Sequence, residues 1–286
     1  MPPQESSGKF HGLLERLRRR AGAYPGAEPS SDGDLDLPSA DDVTGNTVFA
    51  DRPPRLRNLT GEPVDVSISL NDPGFQAGVF KIRLAGSRAS NQQAGTLVER
   101  RYAWRGYQIP GLVADPNLRT FVAYREGAPV GTVSIRIDSA KGLSADDLYK
   151  TELEELRIAG ARLCEFTRLA VEDGAVHKNV LGGLFHTAYM YAHDVRGCDY
   201  GVIEVNPRHA VFYRRTVFFE LIGAERMNRR VSAPSVLLCV SFEKIRVEVK
   251  KYFDGPTRPP GRLMFAHWFP PDEAAGVLGR LRKLET

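Results

Sequence analysis

The sequence predicts an α/β fold, a mixed central sheet flanked by helices. Three observations carry that prediction. Residues 162–215 read as strand, Gly-containing turn, long helix, strand and second helix, an order that requires a parallel crossover. Residues 119–125 and 130–138 read as two strands joined by the tight turn Glu126-Gly127-Ala128-Pro129. Residues 221–227 and 236–242 hold two further apolar strands.

The elements follow in chain order. Residues 8–20 place Phe10, Leu13, Leu14 and Leu17 on one helical face, with Arg16, Arg18, Arg19 and Arg20 beside them. This short basic helix has two readings, a membrane-surface or partner contact and a solvated helix packed locally. Residues 28–51 carry seven acids and no base among Pro, Ser and Gly, the composition of a linker. Val64, Val66, Ile68 and Leu70 alternate as in a strand, and residues 80–85 are a second strand. Residues 87–104 form a helical region ending in Arg100-Arg101-Tyr102-Ala103-Trp104. Ser144 is expected to cap a helix over residues 145–158, with Asp147 in the capping-box position.

The long helix is marked by Val180, Leu181, Leu184, Phe185, Ala188 and Ala192 at helical spacing, and Gly197 ends it. Residues 200–205 are a short apolar strand. Asn206-Pro207 then opens the last helix of this stretch, because Asn is a favoured cap and Pro loses no hydrogen bond at the first helical position. Residues 243–252 read as a short helix or strand, and residues 272–284 as a small helix.

Composition sets the organisation. Of the 19 prolines in 286 residues, nine precede residue 76 and five follow residue 252, so the middle is expected to be the folded unit. The expected division is a flexible region over 1–60, a folded domain over 61–252 and a Pro-rich tail over 253–286. Residues 76–252 carry 26 Lys and Arg against 19 Asp and Glu, whereas the whole chain is only +4. A basic domain favours an anionic partner. Arg and Lys are nonetheless dispersed and form no nucleic-acid recognition motif, so no nucleic-acid partner is expected. Cys164, Cys198 and Cys239 are odd in number and lack metal-site spacing, which points to reduced thiols, no bound metal and a cytoplasmic setting. Met1 to Lys9 is polar with no apolar stretch behind it, so no secretory signal is expected.

The stretch 164–215 carries a family resemblance. Its strand–helix–strand–helix order is that of the GNAT-fold acyltransferases. Glu165-Phe166-Thr167-Arg168 resembles the Glu-x-Ser/Thr-Arg element shared by acyl-homoserine lactone synthases and N-acyl amino acid synthases. Ile203-Glu204-Val205-Asn206-Pro207-Arg208-His209, then Phe212-Tyr213-Arg214-Arg215, resembles the N-acyl amino acid synthases more closely, as does Ala233-Pro234-Ser235-Val236-Leu237-Leu238. The likeness spans residues 76–252.

The resemblance implies a GNAT-like domain in which two neighbouring strands splay and hold a pantetheine arm between them. It implies N-acyl transfer from a long-chain acyl thioester to the amine of a free amino acid. Glu165 is the expected base or acceptor ligand, because a carboxylate in an apolar strand is costly unless it is paired or used. Arg168 joins it at the reaction centre. The two would face opposite sides of a regular strand unless a bulge intervenes. Tyr213 is the expected acid for the departing thiolate, and His209, one turn earlier, is a second candidate base. Arg100 or Arg101, with Trp104, corresponds to an Arg-aromatic segment over the acyl site. Thr167, Glu204, Asn206 and Arg208 are further expected substrate contacts.

Two motifs depart from the pattern. Coenzyme A binders carry Gln/Arg-x-x-Gly-x-Gly/Ala at the start of the long helix. Here the equivalent residues are Asn179, Gly182 and Leu184, leaving Lys178, Asn179, Gly182 and Gly183 as an incomplete phosphate cradle. That favours acyl carrier protein over acyl-CoA as donor, with no cofactor bound permanently. The usual Tyr-x-x-x-Gly-Phe ending also has Val217 in the glycine position, followed by Phe218. Valine disfavours the positive φ that glycine permits. The alternatives are an acyl-homoserine lactone synthase-like enzyme and a degenerate GNAT fold that only binds.

Overall fold

The structure is a computed structural model that describes residues 47–50, 80–103, 115–172, 177–255 and 263–285. Its centre is one eight-stranded sheet, ordered β1-β2-β3-β4-β5-β6-β8-β7. The strands are β1 (Thr47–Ala50), β2 (Lys81–Leu84), β3 (Leu118–Arg125), β4 (Ala128–Ile137), β5 (Leu163–Val171), β6 (Tyr200–Val205), β7 (Glu220–Asn228) and β8 (Ala233–Ser241). All neighbours are antiparallel except β5 and β6, which are parallel, as the crossover between them requires.

The helices are α1 (Arg88–Ala103), α2 (Asp146–Ile158), α3 (His177–Met190), α4 (Pro207–Thr216), α5 (Phe242–Asp254) and α6 (Pro271–Lys283). α3 runs on into a π-helical turn at Tyr191–Val195 and stops at Gly197, which takes φ 67°. The turn between β3 and β4 places Glu126 at φ 51° and Gly127 at φ 82°, the two left-handed positions of a type I′ hairpin.

Side chains of β8 divide the core. Val236, Leu238 and Val240 join the larger cluster with α3 and α5, while Leu237 and Cys239 face Tyr149, Leu153 and Leu156 of α2. Alternation along one strand therefore buries both faces of the sheet. All three cysteines are buried and free. Among the described residues, no helix is long and apolar enough to cross a membrane.

Two expectations are corrected at the chain's ends. Residues 47–50, placed in the flexible region, are an edge strand whose Val48 and Phe49 are buried. The segment 263–285, placed in a loose tail, is packed into the core through Phe265, Trp268, Phe269, Val277 and Leu281. The two ends meet: Phe49 stacks on Phe269 at 4.3 Å between centroids, and Arg280 Nε donates to the Val48 carbonyl at 2.8 Å. His186 of α3 fastens the segment further, accepting the Phe269 N–H at Nδ1 and stacking on Trp268. Burial pushes its pKa down to about 3, so the ring stays neutral and able to accept. Proline spacing is a signal of extended backbone only, and it is overridden here by buried aromatics. Phe265→Ala should therefore cost about 3–5 kcal/mol. An unchanged urea midpoint would show that the C-terminal segment contributes little.

The expected basic helix over 8–20, the linker over 28–51 apart from 47–50, the strand over 64–70 and Trp104 lie outside the described residues. Helix α2 begins at Asp146 behind Ala145, with no side-chain cap, so Ser144 does not cap it as expected. Its backbone N–H turns instead toward β5.

Candidate active site

Strands β5 and β6 pair only over Leu163–Tyr200, Cys164–Gly201 and Glu165–Val202. Beyond Glu165 both strands continue, unpaired with each other. A cavity of about 620 Å³ opens there, walled by β4, β5, β6, α1, α3, α4 and the β7–β8 turn. The other edge of β5 carries a bulge. Ser134 pairs with Thr167 and Thr132 with Ala170, so one residue of β4 opposes both Arg168 and Leu169. Arg168 absorbs the extra residue at φ 52°, a left-handed conformation that costs a non-glycine residue on the order of 1 kcal/mol or more. The bulge undoes the alternation that would have sent Arg168 away from Glu165, and both now line the cavity.

Glu165 sits where pairing ends. It is 3% exposed, and its Oε2 accepts the Ser144 N–H at 2.7 Å. Arg136 is its register partner on β4. Burial raises its pKa to about 7; the Ser144 bond opposes the rise, Glu204 adds to it and Arg136 opposes it. A carboxyl that titrates near neutrality can take a proton from a nucleophile and pass it on.

Arg168 has a buried Nη1 without a hydrogen-bond partner, and burial first, then Arg136, lowers its pKa. Such a guanidinium is matched to an anionic guest, since a carboxylate would complete its fork. Tyr213 turns inward from α4 onto Phe185 and Phe219. Burial raises its pKa, which keeps the hydroxyl protonated and also makes it a weaker acid than an exposed tyrosine. The departure at Val217 resolves locally. Val217 keeps φ −133° and Phe218 takes φ 63°, so the left-handed turn moves one residue on and Tyr213 keeps its inward place.

A model of the family described as "N-acyl amino acid synthase FeeM" matches residues 93–241. The chain belongs to that family. The match spans the splayed strands, the bulge and α4. The solved structure of FeeM, an N-acyl amino acid synthase from uncultured soil microbes, is 27% identical, with 59% of this chain and 93% of that chain covered at a TM-score of 0.55. Lower likenesses include an acyl-CoA N-acyltransferase from Pseudomonas aeruginosa (12% identity, 57% and 98% covered, TM-score 0.41) and the AHL synthase LasI (11% identity, 57% and 90% covered, TM-score 0.39). No curated protein matches the sequence. The FeeM-family chain is an N-acyltransferase of GNAT-like fold.

The remaining site expectations divide. Thr167, Glu204, Asn206 and His209 line the cavity. Glu204 is already engaged, its oxygens accepting from Asn228 Nδ2 and from Arg230 at 3.1 Å. Asn206 caps α4 by accepting the Arg208 N–H at 3.2 Å. Arg208 itself points out, its Nε donating to His209 Nε2. Arg100 pairs with Glu172, and neither it nor Arg101 forms part of the cavity wall. Their neighbour Tyr102 does, and its hydroxyl donates to the Leu169 carbonyl in the bulge at 2.8 Å.

The cradle residues are corrected as well. Lys178, Asn179, Gly182 and Gly183 stand outside the cavity wall. Asn179 Oδ1 pairs with His267 Nδ1 at 2.8 Å, and a Cβ on Gly182 would collide with the His267 carbonyl. Gly183 faces Phe80. Asn179 and Gly182 thus make room for the chain's own C-terminal segment. Ser144 and Arg136 were missed. Arg136 could have been flagged by the reasoning applied to Glu165, a charge inside a mostly apolar strand. Among the described residues, no group of His, Cys, Asp and Glu could hold a metal ion.

Proposed function

We propose that this enzyme transfers a long-chain acyl group from the thioester of an acyl carrier protein to the amine of a free amino acid. The observation that carries the reading is the placement of Glu165 and Arg168 in one cavity between separated strands. Val98, Val133, Phe166, Leu169 and Phe185 supply apolar wall for an acyl chain, and Arg168 supplies a charged fork for an α-carboxylate. In this reading Glu165 takes the proton of the attacking amine as nitrogen bonds to the thioester carbonyl. The tetrahedral adduct collapses, the carbon–sulfur bond breaks, and Tyr213 or solvent protonates the thiolate.

Two features support a carrier protein as donor. His267 already occupies Asn179 and abuts Gly182, where a nucleotide pyrophosphate would otherwise be sought. The outward face of α4 carries Arg208, Arg214 and Arg215 with exposed Val211 and Phe212, and no acid, while its inward side lines the cavity. Such a face suits an acidic protein bringing its arm to the opening. Matched acyl chains on carrier protein and on coenzyme A should be compared with a free amino acid at two salt concentrations, with product read by mass. The carrier-bound chain should react faster, and its advantage should shrink as salt rises. Preference for coenzyme A overturns the donor; N-acyl amino acid formed from neither overturns the function.

A further inference from the structure

The loop between β4 and α2 is held far more firmly than its place at the edge of a cavity requires. Arg157 of α2 grips both of its ends. Nε and Nη2 donate to the two oxygens of Asp138 at 2.7 and 3.0 Å, while Nη1 and Nη2 donate to the two oxygens of Asp146, each at 2.7 Å. Each carboxylate also holds loop backbone. Asp138 accepts the Ser139 N–H at 3.0 Å, and Asp146 accepts the Leu143 N–H at 2.6 Å. The Asp138 N–H donates to the Leu163 carbonyl, tying the loop to β5. Gly142, at φ 73°, lies so close to Asp146 that a Cβ would reach within 2.7 Å of its Oδ2. Leu143 and Ala145 are buried in the core under α2. Between them the Ser144 N–H is delivered to Glu165 Oε2 at 2.7 Å.

We infer that Arg157, Asp146 and Asp138 are positioning residues for the reaction, acting through the loop to hold the Ser144 N–H on the Glu165 carboxylate. The inference rests on the proposal that Glu165 is the base. A hydrogen bond to the charged form of a carboxyl lowers its pKa, and burial works the other way. The clamp therefore sets how far burial can raise Glu165. Other charged or titratable groups share the cavity: Asp115, Arg136 on β4, Lys141 in the loop, Arg168 on β5, Glu204 on β6 and Arg230 in the β7–β8 turn. His209 and Tyr213 face it from α4. None of them is replaced in the variants below, and Lys141 alone moves with the loop.

Charge and position have opposite signs here, which makes the inference testable. Asp146→Asn removes a negative charge, and through space alone that would lower the Glu165 pKa. Loosening the loop would raise it. Gly142→Ala removes no charge; its Cβ presses on the Asp146 carboxylate and displaces the loop, at a backbone cost of about 1–2 kcal/mol. In both variants the pH midpoint of kcat/KM should rise by about one pH unit from its value near 7. Carbon-13 NMR of labelled glutamate carboxyls, with Glu165→Gln to assign the resonance, reads the same titration without catalysis. A midpoint that stays or falls in both variants by NMR overturns the inference. An upward NMR shift with an unmoved rate profile upholds the clamp and overturns Glu165 as the base.

Discussion

Replacing Glu165 with Gln should lower kcat/KM by about 10²–10⁴-fold while leaving the fold intact, the usual range for loss of a general base. The substitution keeps the shape and can still accept the Ser144 N–H through its amide oxygen. It should also stabilise the protein above neutral pH. The folded carboxyl has its pKa raised from 4.5 to about 7, so the native state holds its proton more tightly than the unfolded chain does. Stability from this group is complete below pH 4.5 and is lost as pH rises through 7, where a buried charge must form. The loss is on the order of 3 kcal/mol at pH 8, and the glutamine variant escapes it. Urea melts of both proteins at pH 4.5 and 8 check this. Equal stability at pH 8 would place the ionised carboxylate in a better-compensated site than its burial indicates.

Arg168→Gly should raise the KM for the amino acid about 10–100-fold with little loss of folded stability. A charged hydrogen-bonded pair contributes roughly 1.5–3 kcal/mol, which sets that range. Glycine meanwhile relieves the φ of 52°. Arg168→Lys keeps a charge and loses the planar fork, so it should bind the acceptor poorly too. Both are tested by acceptor titration together with thermal melts. If Arg168→Gly keeps its KM and loses several degrees of stability, the arginine supports the bulge and holds no carboxylate.

Most of the sheet was legible because its signals are local. The turn at Gly127 marks the β3–β4 hairpin, and Asn206-Pro207 marks the start of α4. What was not legible depended on distant partners. β1 is four residues beside an acidic stretch, and it is a strand because β2 pairs with it and Phe269 covers it. Ser144 and Asp147 have the spacing of a capping box, yet the Leu143 N–H goes to Asp146 and the Ser144 N–H to Glu165. The glycines at the start of α3 suggest a phosphate, yet the space beside Gly182 is filled by His267 and that beside Gly183 by Phe80, residues no short motif could connect to them. Glu165 and Arg168 were named from the family element, but only the bulge in β5 explains how both reach one cavity.

The claim that Glu165 drives N-acyl transfer is tested most directly by the pH dependence of kcat/KM for the amino acid, measured from pH 5 to 9 with carrier-bound acyl donor. The rate should climb through a midpoint near 7 as the carboxyl ionises, and that limb should vanish in Glu165→Gln. A limb of the same midpoint persisting in the folded Glu165→Gln protein would contradict it, and would pass the role of base to His209.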